Sequence, residues 1–411
     1  MQPKTTDRSA AVQHRLLTGV LVAAAVTLSG CSSSDNASQT PPLPDYQPDP
    51  VSVNAAASKV DPAELRLPLQ LEDDTIVDPG WQTPPHSVDN MFLSAGGDDS
   101  VLTFRAVDDT GTIRWEAQRP ISCSGFTLTS DDEQRYAVLA DIDSEAQDLG
   151  DTVVNAYELD TGESHWGPVP VPGPHTGPGT VFAAPPDQGM GDSGAKVLLD
   201  PATGDVLVDE AEQPKIIVLG EFHGTVLLVQ DDQVQAHSAA DLAETGIDAT
   251  PQWTIDAADY GWQPEQLTAA TPATVADPDH GAALIGTDNQ DQALIDLTDG
   301  EVLADQLADA GQDPSSGTWV TLGHQLVGYD TDGRQLYAHP NDDLDFAGVG
   351  AAMAYLKNAD GDLEAHNVVT GDIGRAYRPD DTGTVAVPTI ISPTGIGVVE
   401  ADDRFYLSTP Q

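Results

Sequence analysis

A short pattern recurs along this 411-residue chain and limits what it can fold into: an apolar run, an Asp or Glu, a Thr/Asp-Gly turn, then a second apolar run. Phe104-Arg105-Ala106-Val107-Asp108-Asp109-Thr110-Gly111-Thr112-Ile113-Arg114-Trp115 aligns with Asn155-Ala156-Tyr157-Glu158-Leu159-Asp160-Thr161-Gly162-Glu163-Ser164-His165-Trp166. Shorter copies fall at Val197–Leu207, Ala293–Leu303, Val327–Leu336 and Glu364–Ile373. A degenerate one, Val234-Gln235-Ala236-His237-Ser238, ends at Gln252-Trp253 after a longer connection. Each copy reads as a hairpin. Glycine takes the positive φ that strains other residues, and the acidic side chain accepts N–H bonds of the turn. Helical periodicity is scarce, so the chain reads as all-β.

The turn glycines stand at 111, 162, 204, 300, 333 and 371, separated by 51, 42, 96, 33 and 38 residues. The long gap contains the degenerate copy and splits into two units. The spacing is that of propeller blades, ~40–50 residues each. A four-stranded blade cannot bury its two faces alone, and stacking blades around an axis buries both. The pattern A-x-D-x-x-T-G-x-x-x-W resembles the repeat of PQQ-like β-propellers. Trp115 and Trp166 sit at its docking-tryptophan position and Trp253 does so loosely; the other copies lack the Trp. The resemblance implies a single β-propeller of seven or eight four-stranded blades over residues 71–411, with Arg404-Phe405-Tyr406-Leu407-Ser408 as a final strand against the first blade.

The N-terminus carries a second signal. Lys4, Arg8 and Arg15 precede the apolar run Leu16–Leu28, which is shorter than the ~20 residues of a membrane span. It ends in Leu28-Ser29-Gly30-Cys31, which resembles the bacterial lipobox. The resemblance implies a lipoprotein signal peptide over 1–30, cleaved before Cys31, and lipidation (diacylglycerol, palmitate) of Cys31. Residues 31–70 read as a Pro/Ser-rich tether without a periodic apolar face, spanning ~3 Å per residue when extended. The expected location is the extracytoplasmic face of the cell membrane, held by the lipid anchor.

Beyond residue 30 the chain holds 13 basic against 66 acidic residues, a formal charge of −53. Nucleic acid is excluded as a partner, since phosphate binding needs clustered Lys and Arg. A polybasic grip on anionic lipid is excluded for the same reason. The acids are dispersed, which reads as a solvated surface and a monomer. With Cys31 lipidated, Cys123 stands alone and reads as a small buried core residue.

No motif in the chain carries chemistry. Gly191-Asp192-Ser193-Gly194 resembles a serine-protease nucleophile loop but has no accompanying base, and reads as a turn. Asn358-Ala359-Asp360-Gly361 and Asp330-Thr331-Asp332-Gly333 supply part of a calcium loop, with Leu356 and Asn367 at two ligand positions of the first. Both read as hairpin turns. The ten histidines are dispersed, without H-E-x-x-H or C-x-x-C, so no metal site is expected. Pro168–Pro174, His175 and Gly177-Pro178-Gly179 read as a connection between blades. The quinone-dependent dehydrogenases of the repeat family are longer and often carry a vicinal disulfide, which this chain lacks; no cofactor is expected.

The favoured expectation is a non-enzymatic scaffold for envelope proteins. Its arrangement resembles that of the propeller lipoprotein of the outer-membrane barrel-assembly complex, from which only the architecture is carried over. A quinone-dependent or other propeller enzyme, or a small-ligand or Ca²⁺ sensor, is the alternative. An enzyme would show polar groups with perturbed pKa values converging at the channel mouth.

Overall fold

The structure, a computed structural model, describes residues 46–410 apart from 99, 132–133, 144–151, 187–193, 274–280, 288–290, 342, 380–381 and 393. Cys31, the signal segment and Gly191-Asp192-Ser193 lie outside the described residues.

Among the described residues the strands form eight antiparallel blades, apart from the short parallel pair Leu65–Arg66 and Thr384–Val385. Blade one is His86–Val88, Met91–Gly97, Val101–Asp108 and Thr112–Pro120; blade two is Phe126–Ser130, Arg135–Ile142, Thr152–Glu158 and Ser164–Val171. Blade three keeps three strands, Val181–Ala183, Lys196–Leu199 and Val206–Asp209, and its innermost strand is reduced to the single bridge His175↔Phe182. The expected inter-blade connection is therefore divided. Ser164–Val171 is an outer strand of blade two, and His175 with Gly177-Pro178-Gly179 forms the inner edge of blade three. Blade four is Ile217–Phe222, Thr225–Gln230, Gln233–Ser238 and Trp253–Asp256. Blades five and six share the long strand Val302–Asp313, which crosses from the outside of one to the inside of the next. Blade seven runs from Asp345–Gly350 to Ile373–Gly374.

Blade eight contains Val387–Ile391, Gly397–Ala401 and Arg404–Thr409, and takes its fourth strand, Thr75–Trp81, from the other end of the chain. The final strand thus pairs with residues that precede blade one rather than with blade one itself. Strands also begin ahead of the boundary expected at residue 71. Val51–Ala56 adds a fifth strand outside blade one, and Ser58–Lys59 one outside blade eight. These pieces are too brief to show periodicity; pairing with Thr112–Pro120 and Thr75–Trp81 makes them strands. No helix among the described residues is long and apolar enough to cross a membrane.

The core lies in the seams between blades, and the repeat pattern explains it. The turn acids brace as expected: Asp108 Oδ1 accepts from the Thr110 and Thr112 amides (2.9 and 3.0 Å), and Asp296 Oδ1 from that of Thr298 (2.7 Å). Each tryptophan then reaches into the next blade. The indole N–H of Trp115 donates to the Leu159 carbonyl, that of Trp166 to Pro201 and that of Trp253 to Leu297, at 2.8, 2.9 and 2.8 Å. The ring lies on the neighbour's turn glycine. A Cβ at Gly162, Gly204 or Gly300 would stand 2.8, 2.6 or 2.7 Å from the indole. Glycine in this pattern therefore serves twice, allowing the positive φ of the turn and leaving room for the neighbouring ring. In the degenerate copy of blade four the turn is replaced by the helix Ala239–Thr245. Its Leu242 packs with Leu207 and Val208 of blade three, where no tryptophan is available. Blade eight meets blade one through Val77, Trp81, Phe92, Val107 and Phe405.

Candidate functional site

In an antiparallel meander the turns alternate between two faces. The turn after the first strand and the turn after the third, which carries the repeat glycine, lie on one face of the propeller; the remaining connections lie on the other. The N-terminal segment joins that other face. It meets the Pro120 end of Thr112–Pro120: the Gln118 amide donates to the Gln47 carbonyl (2.8 Å), and the Tyr46 hydroxyl donates to Asp141 (2.9 Å).

Two cavities open on the glycine-turn face. The larger, of about 700 Å³, lies along the channel between the innermost strands. Glu221 is placed in its wall by Ile217–Phe222 and is 1% exposed. Its carboxylate accepts from the Thr129 hydroxyl (2.9 and 2.8 Å), the Gly224 amide (2.6 Å) and the Thr180 amide, donors from blades two, four and three. Gly179 (φ +71°) lets the blade-three turn press against it; a Cβ there would lie 2.3 Å from the carboxylate. Burial outweighs these donors and pushes the Glu221 pKa up to about 7.

Three histidines line the same channel. His223 lies in the tight His223-Gly224 turn, with both residues at positive φ, and its Nδ1 is 3.0 Å from the Ser130 hydroxyl. Burial lowers its pKa to about 4. His175 Nε2 donates to the Gly179 carbonyl (2.8 Å), and burial lowers its pKa. His86 stacks on Phe126 with ring centroids 4.6 Å apart. Its enclosure by the ring, reinforced by His175, lowers its pKa, although the side chain opens onto the channel and solvent there softens the shift. These imidazoles are neutral at pH 7, so the channel offers uncharged donors, acceptors and apolar surface.

Polar groups with perturbed pKa values do converge in the channel, the feature expected of an enzyme. Glu221 accepts from three donors and so braces three blades, and it is the one carboxylate among the described residues that line the cavity. The residues present therefore do not fit a carboxylate-ligated quinone–calcium site. Among the described residues no group of three or more His, Cys, Asp or Glu is placed to hold a metal ion.

Glu221 gives the stability a defined pH dependence. Its folded pKa lies above the ordinary 4.5, so its contribution is fully present below about pH 4.5 and is lost as pH rises through 7. The shift corresponds to about 3 kcal/mol. The unfolding free energy of the wild type minus that of Glu221→Gln should fall by about this amount between pH 5 and pH 8.5 in urea titrations. The subtraction cancels other titrating groups, and a constant difference would show that Glu221 titrates normally.

The second cavity, of about 570 Å³, is lined by blades five and six, is bounded across the channel by Asp89 and Asn90 of blade one and Thr394 of blade eight, and shares Gly281 and Ala282 with the first. Leu294, Leu303, Trp319 and Tyr329 contribute its apolar wall, and Asp89, Asp296 and Asp330 its acidic edge. Asp330-Thr331-Asp332-Gly333 is the hairpin turn expected from its sequence, with Asp330 holding Arg334 (2.5 Å). Asn358-Ala359-Asp360-Gly361 is likewise a turn, braced by Asn358 Oδ1. Cys123 is buried among Val138, Ala140 and Phe182, and burial raises its thiol pKa. The sequence reading missed Glu221, His86 and His223 as channel residues. Their only local signal is a position on a short apolar run, and only the ring brings the runs together.

No protein-family model matches the chain. No curated protein matches it either. Similar solved structures include BamB from Moraxella catarrhalis, with a TM-score of 0.43 and 14% identity over 81% of this chain and 95% of that one. The computationally designed Ika8 protein gives 0.41 and 13% over 84% and 99%. Saccharomyces cerevisiae Sqt1 gives 0.39 and 12% over 87% and 99%. The fold is a β-propeller. That assignment rests on the strand order and seam packing above rather than on these distant likenesses.

Proposed function

We propose that this protein is an extracytoplasmic propeller lipoprotein, anchored through Cys31, that binds envelope proteins and catalyses no reaction. The observation that carries the reading is the polarity of the propeller. The N-terminal segment joins one face, and both cavities open on the opposite one. A chain that enters the propeller at one face leaves the recessed surface of the opposite face open to a partner. The high acidic charge keeps such a module soluble and selects partners by charge rather than by apolar area.

The test is photo-cross-linking in intact cells, with a cross-linking residue at the exposed, channel-facing Thr298 and a clickable fatty acid in the medium. The wild type should take up the label and form a discrete adduct with an envelope protein. Cys31→Ala should lose the label, leave the membrane fraction and lose the adduct. Label retained by the mutant would sink the anchor, and an unchanged adduct without label would separate binding from anchoring.

A further inference from the structure

We infer that the seam between blades five and six is a docking pocket for a tryptophan side chain of a partner protein, flanked in that partner by basic residues. This rests on the binding reading above and names its contact chemistry. The argument comes from the repeat. Five of the six turn glycines lie against a side chain of the preceding blade. A Cβ at Gly111, Gly162, Gly204, Gly300 or Gly371 would stand 3.1 Å or less from Val77, Trp115, Trp166, Trp253 or His339. The sixth, Gly333 (φ +72°), has nothing within 4 Å of that position.

The cause is legible in blade five. In the three tryptophan seams the cross-strand partner of the indole is a small residue: Ala106 opposite Trp115, Ala156 opposite Trp166 and Ala236 opposite Trp253. Blade five reverses the sizes. The residue four places after Gly300 is Ala304, and its cross-strand partner is Leu294. No ring reaches Gly333, and the 570 Å³ cavity opens from this seam toward the channel. Elsewhere the missing tryptophan has a substitute, Leu242 of the helix against blade three and Tyr337 against Gly371. Here Trp319 and Tyr329 of blade six line the seam from the other side without reaching Gly333, and the cavity stays open beside them.

The vacant position is shaped by its own fold for an aromatic ring. Leu294, Leu303 and Tyr329 offer the apolar and aromatic contacts that make buried tryptophan an interface anchor. The rim carries Asp296 beside Asp89 and Asp330, which pair with Arg135 and Arg334; on a chain of net charge −51 this rim favours basic residues flanking the anchor. Filling the pocket from within should exclude the partner.

The probe is acetyl-Lys-Trp-Lys-amide carrying 5-fluorotryptophan, titrated against the purified full-length protein and read by ¹⁹F line broadening. Wild type should broaden the resonance, and unlabelled Lys-Trp-Lys, but not Lys-Ala-Lys, should reverse the effect. Ala304→Trp should weaken binding at least tenfold and melt higher than wild type. Ala304→Leu, a milder insertion, should weaken it severalfold and serves if the larger ring prevents folding. Equal binding by wild type and the filled variants would overturn the inference, as would no broadening with wild type. Equal binding of an Asp-Trp-Asp peptide would overturn the basic flank. Should the peptide fail while the Thr298 adduct persists in cells, the pocket falls and the binding reading stands.

Discussion

Replacing Arg119 with alanine should cost about 3–5 kcal/mol of unfolding free energy, among the largest effects of any single substitution in this chain. Its guanidinium is fully buried yet joins three separate parts of the fold. Nε donates to the Ala140 carbonyl (3.1 Å) and lies 3.4 Å from Asp141; Nη2 donates to the Tyr157 hydroxyl (3.1 Å); Nη1 donates to the carbonyls of Gln118 and Pro48. Asp141 in turn accepts from Tyr46. Truncation removes a paired charge, leaves the half of the pair on Asp141 nearly buried, and strands carbonyls that have no access to water. Urea unfolding measures the loss. Arg119→Met combined with Asp141→Leu should be markedly less destabilised than Arg119→Ala, because it removes both charges and keeps volume. If Arg119→Ala costs less than about 1 kcal/mol, the N-terminal segment is not held to blades one and two through this residue.

The second large effect lies in the seam between blades one and two. Trp115→Ala should cost about 3–5 kcal/mol, the range for emptying a buried aromatic site, because Trp115 is fully buried and its N–H is satisfied by Leu159. Gly162→Ala should be nearly as harmful, for two reasons. Its φ of +74° strains a side chain by about 1–2 kcal/mol, and the new methyl would overlap the indole at 2.8 Å. The double variant separates these terms. With the ring gone only Pro50 Cβ, 2.9 Å away, still opposes the methyl, so the combined cost should fall short of the sum by about 1–2 kcal/mol. Strict additivity would show that ring and glycine do not touch in solution.

These two sites also mark how much could be read from the chain. The hairpins were legible because turn chemistry is local: Asp108, Thr110 and Gly111 specify their turn wherever the chain goes afterwards. Trp115 and Trp166 were legible as docking residues, but their target was not. Each reaches the next repeat's glycine, a relation that exists only after blades stack. The innermost strands escaped notice because they are short. His86–Val88 and Thr268–Ala270 have three residues each, and that of blade three is one bridge at His175. His86 and His175 stand on such strands and were hidden with them, whereas Glu221 and His223 lie on and beside the six-residue Ile217–Phe222, whose apolar run does not show which side chains face the channel. Thr75–Trp81, Val51–Ala56 and Ser58–Lys59 escaped for another reason: their partners lie elsewhere in the chain, and no local pattern announces a strand lent to another blade.

That loan has a temporal side. Ser408 bonds Asp74 and Arg404 bonds Asp78 across 334 and 326 residues, so a segment that leaves the ribosome early waits for one made more than 300 residues later. Until residues 404–409 arrive, Thr75–Trp81 presents an unpaired edge, the kind of surface on which chains misjoin. The first seven blades need nothing from residues 387–409; the eighth is a clasp whose two halves are made more than 300 residues apart.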